Sequence, residues 1–390
     1  MDRQLATTLT AAVNPERLAR TALALIAIPS PTRSAGAVAD ELARLLAADG
    51  FAVERPVADW PEAPAVVTRL HSGQPGRTLQ FDGHLDTVHL PFVPPKLEGG
   101  VLYGSGASDM KGGVAAFVEA LRVLRDTGAL SAGQVLLTTH DHHEGPWGDR
   151  RQLKALIRDG YVGDGVLLPE YLATPLPVAG RGQAIFAVRL TRPGEPVHEV
   201  LQAPGTPQVL LAGAELALRL RALDIELKVH QHPYAGADSC FVGHLASGEI
   251  YNQVPVECML KGTRRWIEAG TVEAVRAEFA AVVAEVAAQH GVPWQLDFSV
   301  SGDAFVVAAE DPLVRAFQAA HQAVSGAGLP LGGKPFMDDG NTFAALAGIP
   351  ALTHGPAATG AHTLDERVSL EELVRVARVY ALCALAYCNP

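Results

Sequence analysis

Apolar, β-prone runs at 78–82, 134–139 and 165–168 alternate with a helix-like stretch at 112–126, and this alternation constrains the chain more than any other feature. Strands spaced by a helix share a sheet when the helix covers one of its faces, so the pattern predicts a layered α/β domain. His84, Asp109, His142, His143 and Glu170 each fall just after such a run or at the head of such a helix. Ligand sites of open α/β sheets gather beyond the carboxyl ends of the strands, where residues distant in sequence converge.

Upstream, residues 37–49 (AVADELARLLAAD) carry apolar positions at helical spacing, Gly50 suits the C-cap, and the extended segment FAVERPV follows. From about 183 the pattern changes to strand-like QAIFAVRLTR, helix-like VLLAGAELALRLRAL, strands around EIYNQVPVECMLKGTRRW, helix VEAVRAEFAAVVAEVAAQ and strand WQLDFSVS. The order β-α-β-β-α-β predicts a ferredoxin-like α+β domain over 181–301, inserted into a catalytic metal-binding domain made of 1–180 and 302–390. A helix near 312–324, a strand-like GIPALTHG and an amphipathic helix at 369–387 complete the first domain.

With 390 residues, 48% of them hydrophobic, the chain can bury the cores of two domains. Its formal charge of −11 and the absence of any long single-sign block argue against a nucleic-acid partner. The apolar run Ala22–Ile28 is short and lacks the cleavage site of a secretory signal, and no segment approaches the roughly 18 apolar residues of a membrane span. A cytoplasmic location with no membrane partner is expected. Cys240, Cys258, Cys383 and Cys388 show neither CxxC spacing nor the density of a disulfide scaffold, and are expected as reduced, buried thiols.

Three segments carry chemistry. In FDGHLDTV a strand ends on His84, and Asp86 two residues later falls on the same face, where a carboxylate can hold the imidazole in the tautomer a metal requires. In YGSGASDMKGG a glycine-rich turn leads into a helix; Asp109 there suits either an N-cap or, through its two oxygens, a bridge between two cations. In LLTTHDHHEGPWG a strand empties into Asp141, His142, His143 and Glu144, four titratable groups that are costly to bury without a metal or partners.

Together with VLLPEYL and GAHTLDERV, these segments resemble, in order, spacing and glycines, the M20 family of peptidases and deacylases. The resemblance implies hydrolysis of an amide bond in a small N-acyl amino acid, dipeptide or related carboxylate substrate. It further implies two divalent ions, zinc foremost with manganese or cobalt as alternatives, bridged by Asp109. His84 and Glu170 would complete one site, His143 and His362 the other, with Asp86 supporting His84. The family reads Asp-Glu-Glu where this chain has Asp141-His142-His143, a general base followed by a ligand. Imidazole is a good zinc ligand, so His143 can replace a carboxylate. His142 can take a proton from metal-bound water, since its ordinary pKa near 6.5 lies close to the roughly 7 of zinc-bound water. A local shift would instead bring Glu144 into the base or ligand role. Other outcomes are aminohydrolysis at another C–N bond, or a metal-binding homologue that has lost catalysis.

In the inserted domain, His198 matches a family histidine that stabilises the oxyanion in the neighbouring subunit's site, although Glu199 and Val200 replace small residues after it. Asn252 and Arg265 match substrate-contacting positions, where a guanidinium can clamp a carboxylate. Asp338 and Asp339 in MDDGN, beside the active site, are expected either to support the residues that touch the metals or to serve the turn, the role that Asp-Asp-Gly-Asn chemistry suits better. The resemblance also points to a homodimer through the inserted domain.

Overall fold

The computed structural model describes residues 3–389. The chain forms two compact units: one runs up to Val178 and continues with Val306–Gly333 and from Asp338 onward, the other comprises Ala179–Phe305 and Lys334–Met337. The second unit thus exceeds the expected 181–301 at both ends and takes in Lys334–Met337 besides.

The first unit is built on a six-stranded sheet in the order Val53–Glu54, Val66–His71, Gln134–His140, Thr78–His84, Gly165–Leu168, Ala351–Thr353. Thr78–His84 runs parallel to both its neighbours. Val66–His71, antiparallel to Gln134–His140, mixes Thr68, Arg69 and His71 into its apolar residues, which hid it from the sequence reading. Phe81 of the central strand stacks on Phe117 of the Lys111–Thr127 helix at 4.3 Å, and Tyr380 of the Leu370–Cys388 helix packs on both rings. The Lys111–Thr127 helix, buried from Lys111 to Leu124, therefore ties sheet and C-terminal helix together.

Two details of this unit position the site. His84 and His140 are register partners at the ends of adjacent parallel strands, so the segments that follow them emerge side by side. At the helix start, a Cβ on Gly113 would meet the Pro169 carbonyl oxygen at 2.3 Å. Only glycine lets the helix lie this close to the segment that carries Glu170.

The second unit has a four-stranded sheet in the order Ser239–Ser247, Glu257–Trp266, Gly182–Thr191, Trp294–Gly302, antiparallel throughout. Ala184, Phe186, Val188 and Leu190, alternate residues of one strand, join Leu216 and Leu220 of the Val209–Leu227 helix and Phe279 and Val283 of the Val272–His290 helix in one core. The sequence order β-α-β-β-α-β is present, with the first strand of its hairpin earlier than expected. Ser239–Ser247 is an edge strand with a register shift between Val242 and His244 and a mostly solvent-facing side, so it carries little apolar alternation. All four cysteines are free and buried.

Removing the stacked ring with Phe117→Ala should cost the first unit about 3–5 kcal/mol. A denaturant titration followed by near-ultraviolet circular dichroism checks this; a loss under about 1 kcal/mol would mean the ring is not central to the core.

Candidate metal centre

The segments that follow Thr78–His84, Gln134–His140 and Gly165–Leu168, with the turn before the Lys111–Thr127 helix, contribute to one cluster. His84 Nδ1 faces the backbone carbonyl of Asp86 at 2.9 Å, which turns Nε2 toward Asp109 Oδ1 at 3.2 Å. The carboxylate of Asp86, expected to hold the ring, stands 3.6 Å off. It accepts instead from the amides of His143 at 3.1 Å and Glu144 at 2.9 Å, and so fixes the backbone of the third segment against the first.

Asp109 does not cap its helix. The N-cap position is Met110, without a side-chain hydrogen bond, and both oxygens of Asp109 face inward, Oδ1 to His84 and Oδ2 to His362 Nε2 at 3.2 Å. What holds the turn is Glu366, which accepts from the amides of Gly106 at 3.1 Å and of Ser108 and Asp109 at 3.2 Å, and from Ser108 Oγ at 2.9 Å. The pairing of Arg367–Ser369 with Val101–Tyr103 delivers it there. Sequence reasoning missed Glu366, although it lies four places after His362 in the same motif.

The third segment departs most from expectation. His142 adopts a left-handed backbone, φ 72°, and its ring lies edge-on to Trp60 at 4.4 Å. Neither ring nitrogen has a hydrogen-bond partner among the described residues, and burial lowers its pKa. The expected proton shuttle is thus turned away from the cluster. His143 stacks on His84 at 4.0 Å, with Nδ1 2.7 Å from Asp339 Oδ2 and Nε2 3.8 Å from Glu170 Oε1. Glu144, not His143, meets His362, at 3.1 Å. Of the two turn aspartates, Asp338 is one, accepting from Gly340 N at 2.8 Å; Asp339 is buried against His143 and Arg150.

Electrostatically the cluster is short of positive charge. Burial and then Asp109 push the Glu170 carboxyl well above its ordinary range. Burial also opposes the charges of Asp109 and His84; their mutual contact, with His362 beside Asp109 and Asp86 beside His84, holds Asp109 low and His84 high. Hydrogen bonds to Asp109 and Glu144 raise His362 to about 10. His84 Nε2 and Asp109 Oδ1 are buried and close, yet make no hydrogen bond among the described residues. Ligand atoms of His84, Asp109 and Glu144, and separately of His84, His143 and Glu170, lie within 4.8 Å of one another. Imidazole nitrogens and carboxylate oxygens are the donors that suit divalent cations.

In the second unit, Asn252 Nδ2 lies 3.0 Å from His198 Nε2, and Glu199 Oε2 lies 2.8 Å from His198 Nδ1. The strand pair His198↔Gln253 brings these loops together. The guanidinium of Arg265 has no hydrogen-bond partner among the described residues; burial and the neighbouring Arg181 lower its pKa. Arg264 is structural, paired with Asp238 at 3.2 Å and Glu278 at 2.9 Å.

The chain is similar to known proteins along most of its length. Residues 81–386 match the model of peptidase family M20/M25/M40. The chain is 31% identical to a succinyl-diaminopimelate desuccinylase of Alkalilimnicola ehrlichii, over 92% of this chain and 96% of that one. Its fold is similar to that of an aminopeptidase PepT from Bacillus cereus, with a TM-score of 0.80 at 20% identity, covering 96% of this chain and 99% of that one. A dinuclear metal-binding M20 peptidase from Bacillus subtilis gives 0.69 at 16% identity, with 98% of both chains covered. The chain belongs to peptidase family M20/M25/M40 and is a metallo-hydrolase of that family.

Proposed function

We propose that the enzyme hydrolyses the amide bond of a small N-acyl amino acid or dipeptide-like carboxylate, with His143 rather than His142 moving the proton. The observation that carries this reading is the stacking of His143 on His84, 4.0 Å between centroids and 8° between planes. A metal lies in the plane of its imidazole, about 2.0–2.1 Å from the nitrogen. Two nearly parallel rings at that separation cannot both aim at one ion; His84 is the one that faces Asp109, and Glu144 takes the place beside His362 that was expected of His143. His143 is therefore assigned to proton transfer.

In this reading His84, Asp109 and Glu170 hold one ion and Asp109, Glu144 and His362 the other, zinc, manganese or cobalt suiting the donors. Bound there, such a pair supplies Lewis acidity and a lowered water pKa. His143 Nε2 accepts a proton from the attacking water and returns it to the leaving nitrogen. For the second unit we assign His198, whose Nε2 would give up its contact with Asn252 and, protonated, donate to the carbonyl oxygen, and Arg265 beside Arg181 to the substrate carboxylate. No helix among the described residues is long and apolar enough to cross a membrane, in keeping with the cytoplasmic location we assign.

Plasma mass spectrometry of protein incubated with zinc, manganese or cobalt should find about two ions per chain. Glu144→Gln and His362→Ala should each lower that number toward one while His143→Ala leaves it intact. Metal-loaded wild type should release free amine from a panel of N-succinyl, N-acetyl and N-carbamoyl amino acids and dipeptides. His143→Ala should lower kcat by about 10²–10⁴ and His142→Gln should leave it nearly unchanged. The proposal fails if loaded protein cleaves nothing in the panel, and its assignment of roles fails if His142→Gln is the inactive variant.

A homodimer is proposed through the second unit. Leu211, Leu218 and Ile225 recur at seven-residue spacing and are each more than half exposed, and Phe241 of the edge strand Ser239–Ser247 is 64% exposed. An apolar helix seam and an unpaired strand edge both suit a second copy of the same surface. Light scattering should give about twice 41.0 kDa, and Leu218→Glu should shift it to the monomer. A monomeric wild type would sink this assignment.

A further inference from the structure

His143 is itself held by a chain of buried polar groups that grows out of two strands. Asp82 and His84 share one face of Thr78–His84, and their register partners Thr138 and His140 share the same face of the neighbouring strand. Gln80 Nε2 donates to Thr138 Oγ1 at 2.8 Å, and the Thr138 hydroxyl donates to Asp82. His140 Nε2 stands 3.2 Å from Asp82 Oδ2 and 3.4 Å from Asp339 Oδ2. Asp339 Oδ1 accepts from Arg150 Nε at 3.0 Å, and Oδ2 meets His143 Nδ1 at 2.7 Å. Asp82 and Asp339 are fully buried, His140 and Arg150 nearly so.

Asp82, His140 and Asp339 also lie close enough together to hold a cation. Each of them already has hydrogen-bonding partners, however, including the Asp141 carbonyl oxygen 3.2 Å from His140 Nδ1. The arrangement is better suited to holding a proton in place than to holding an ion.

We propose that Asp339, backed by Arg150 and the His140–Asp82 pair, is a positioning residue that keeps the proton of His143 on Nδ1 and the Nε2 lone pair facing the metal cluster. The proposal rests on the reading of His143 as the proton carrier. An ionised carboxylate only accepts hydrogen bonds, so against Asp339 the Nδ1 atom must donate. Arg150 makes the carboxylate indispensable. An amide at 339 would have to turn its oxygen to the Arg150 donor and its NH₂ to His143. Nδ1 would then become the acceptor and the proton would move to Nε2, the atom that must be free.

The test is Asp339→Asn, read first without substrate. In metal-free protein with ¹⁵N-labelled histidine, the ring signals of His143, identified by their loss in His143→Gln, should show a protonated Nδ1 in wild type and a protonated Nε2 in the variant. After metal loading the variant should bind as many ions as wild type. Its kcat should fall by about as much as that of His143→Ala, up to the roughly 10⁴-fold seen when a wrong tautomer is imposed on a histidine base, with little change in KM. Asp339→Glu should recover part of the loss.

A wild-type ring protonated at Nε2 overturns the proposal even if the variant does not fold, as does a folded variant with unchanged tautomer or turnover. Wild type with the expected tautomer but no activity on the panel would sink the functional reading and leave the positioning role standing. An active wild type with an equally active Asp339→Asn would sink the positioning role alone.

Discussion

Three carboxylates, Asp109, Glu144 and Glu170, are packed together in the interior of the first unit, and the surrounding structure is organised around the cost of that arrangement. Burial first and then the like charge of Asp109 push Glu170 far up, while Asp109, itself buried, is held down by His362 and His84 on either side. The site thus has an unmet electrostatic demand before any ion arrives. Divalent cations meet it; a core of hydrogen bonds alone does not.

Holding such groups in place falls to a second set of carboxylates that point at backbone. Asp86 takes the amides of His143 and Glu144, and Glu366 takes those of Gly106, Ser108 and Asp109. Asp141, which follows the same strand end, accepts from the amides of Arg33 and Ala35 at 2.8 and 3.0 Å. Each converts a loop that could move into one pinned at several points, because a carboxylate accepting two or more amide hydrogens fixes their relative positions. The left-handed residues His142 and His362 sit in these loops. Such backbone persists where surrounding contacts over-determine it.

The layered fold was legible in sequence because apolar periodicity marks strand ends, whereas the grouping of His84, Asp109, Glu170 and His362 came from the resemblance of their motifs to the M20 family. What was not legible is the direction of side chains beyond a strand end. Along HDHHE the period-two rule stops at His140, and the left-handed turn at His142 advances the pattern by one residue, so that Glu144 reaches His362. The edge strand Ser239–Ser247 escaped for a related reason: its residues face water on one side and a bulge interrupts it, so no burial signal is written into its alternation. Asp339 read as a turn residue because Asp-Asp-Gly-Asn is turn chemistry, and only the fold shows that the first aspartate serves the turn and the second faces inward.

In the proposed reading an imidazole takes the place of a carboxylate base, and this accounts for the buried polarity that stands behind His143. A carboxylate has two equivalent oxygens and accepts a proton whichever way it faces, so it needs orienting but no choice of tautomer. A neutral imidazole has a single acceptor nitrogen, and half of its possible tautomeric arrangements point the wrong atom at the reaction. The exchange also removes a negative charge from the metal side, and Asp339 restores one on the far side of the ring, 2.7 Å from Nδ1. A carboxylate buried there needs donors of its own, which Arg150 and His140 supply; burial opposes the charge of His140, but Asp82 and then Asp339 hold it up at about 9. In that reading the departure from the family pattern at His143 is matched by a set of groups running back through Asp82 and Thr138 into the sheet. A decayed site would have no reason to keep such a chain fully paired.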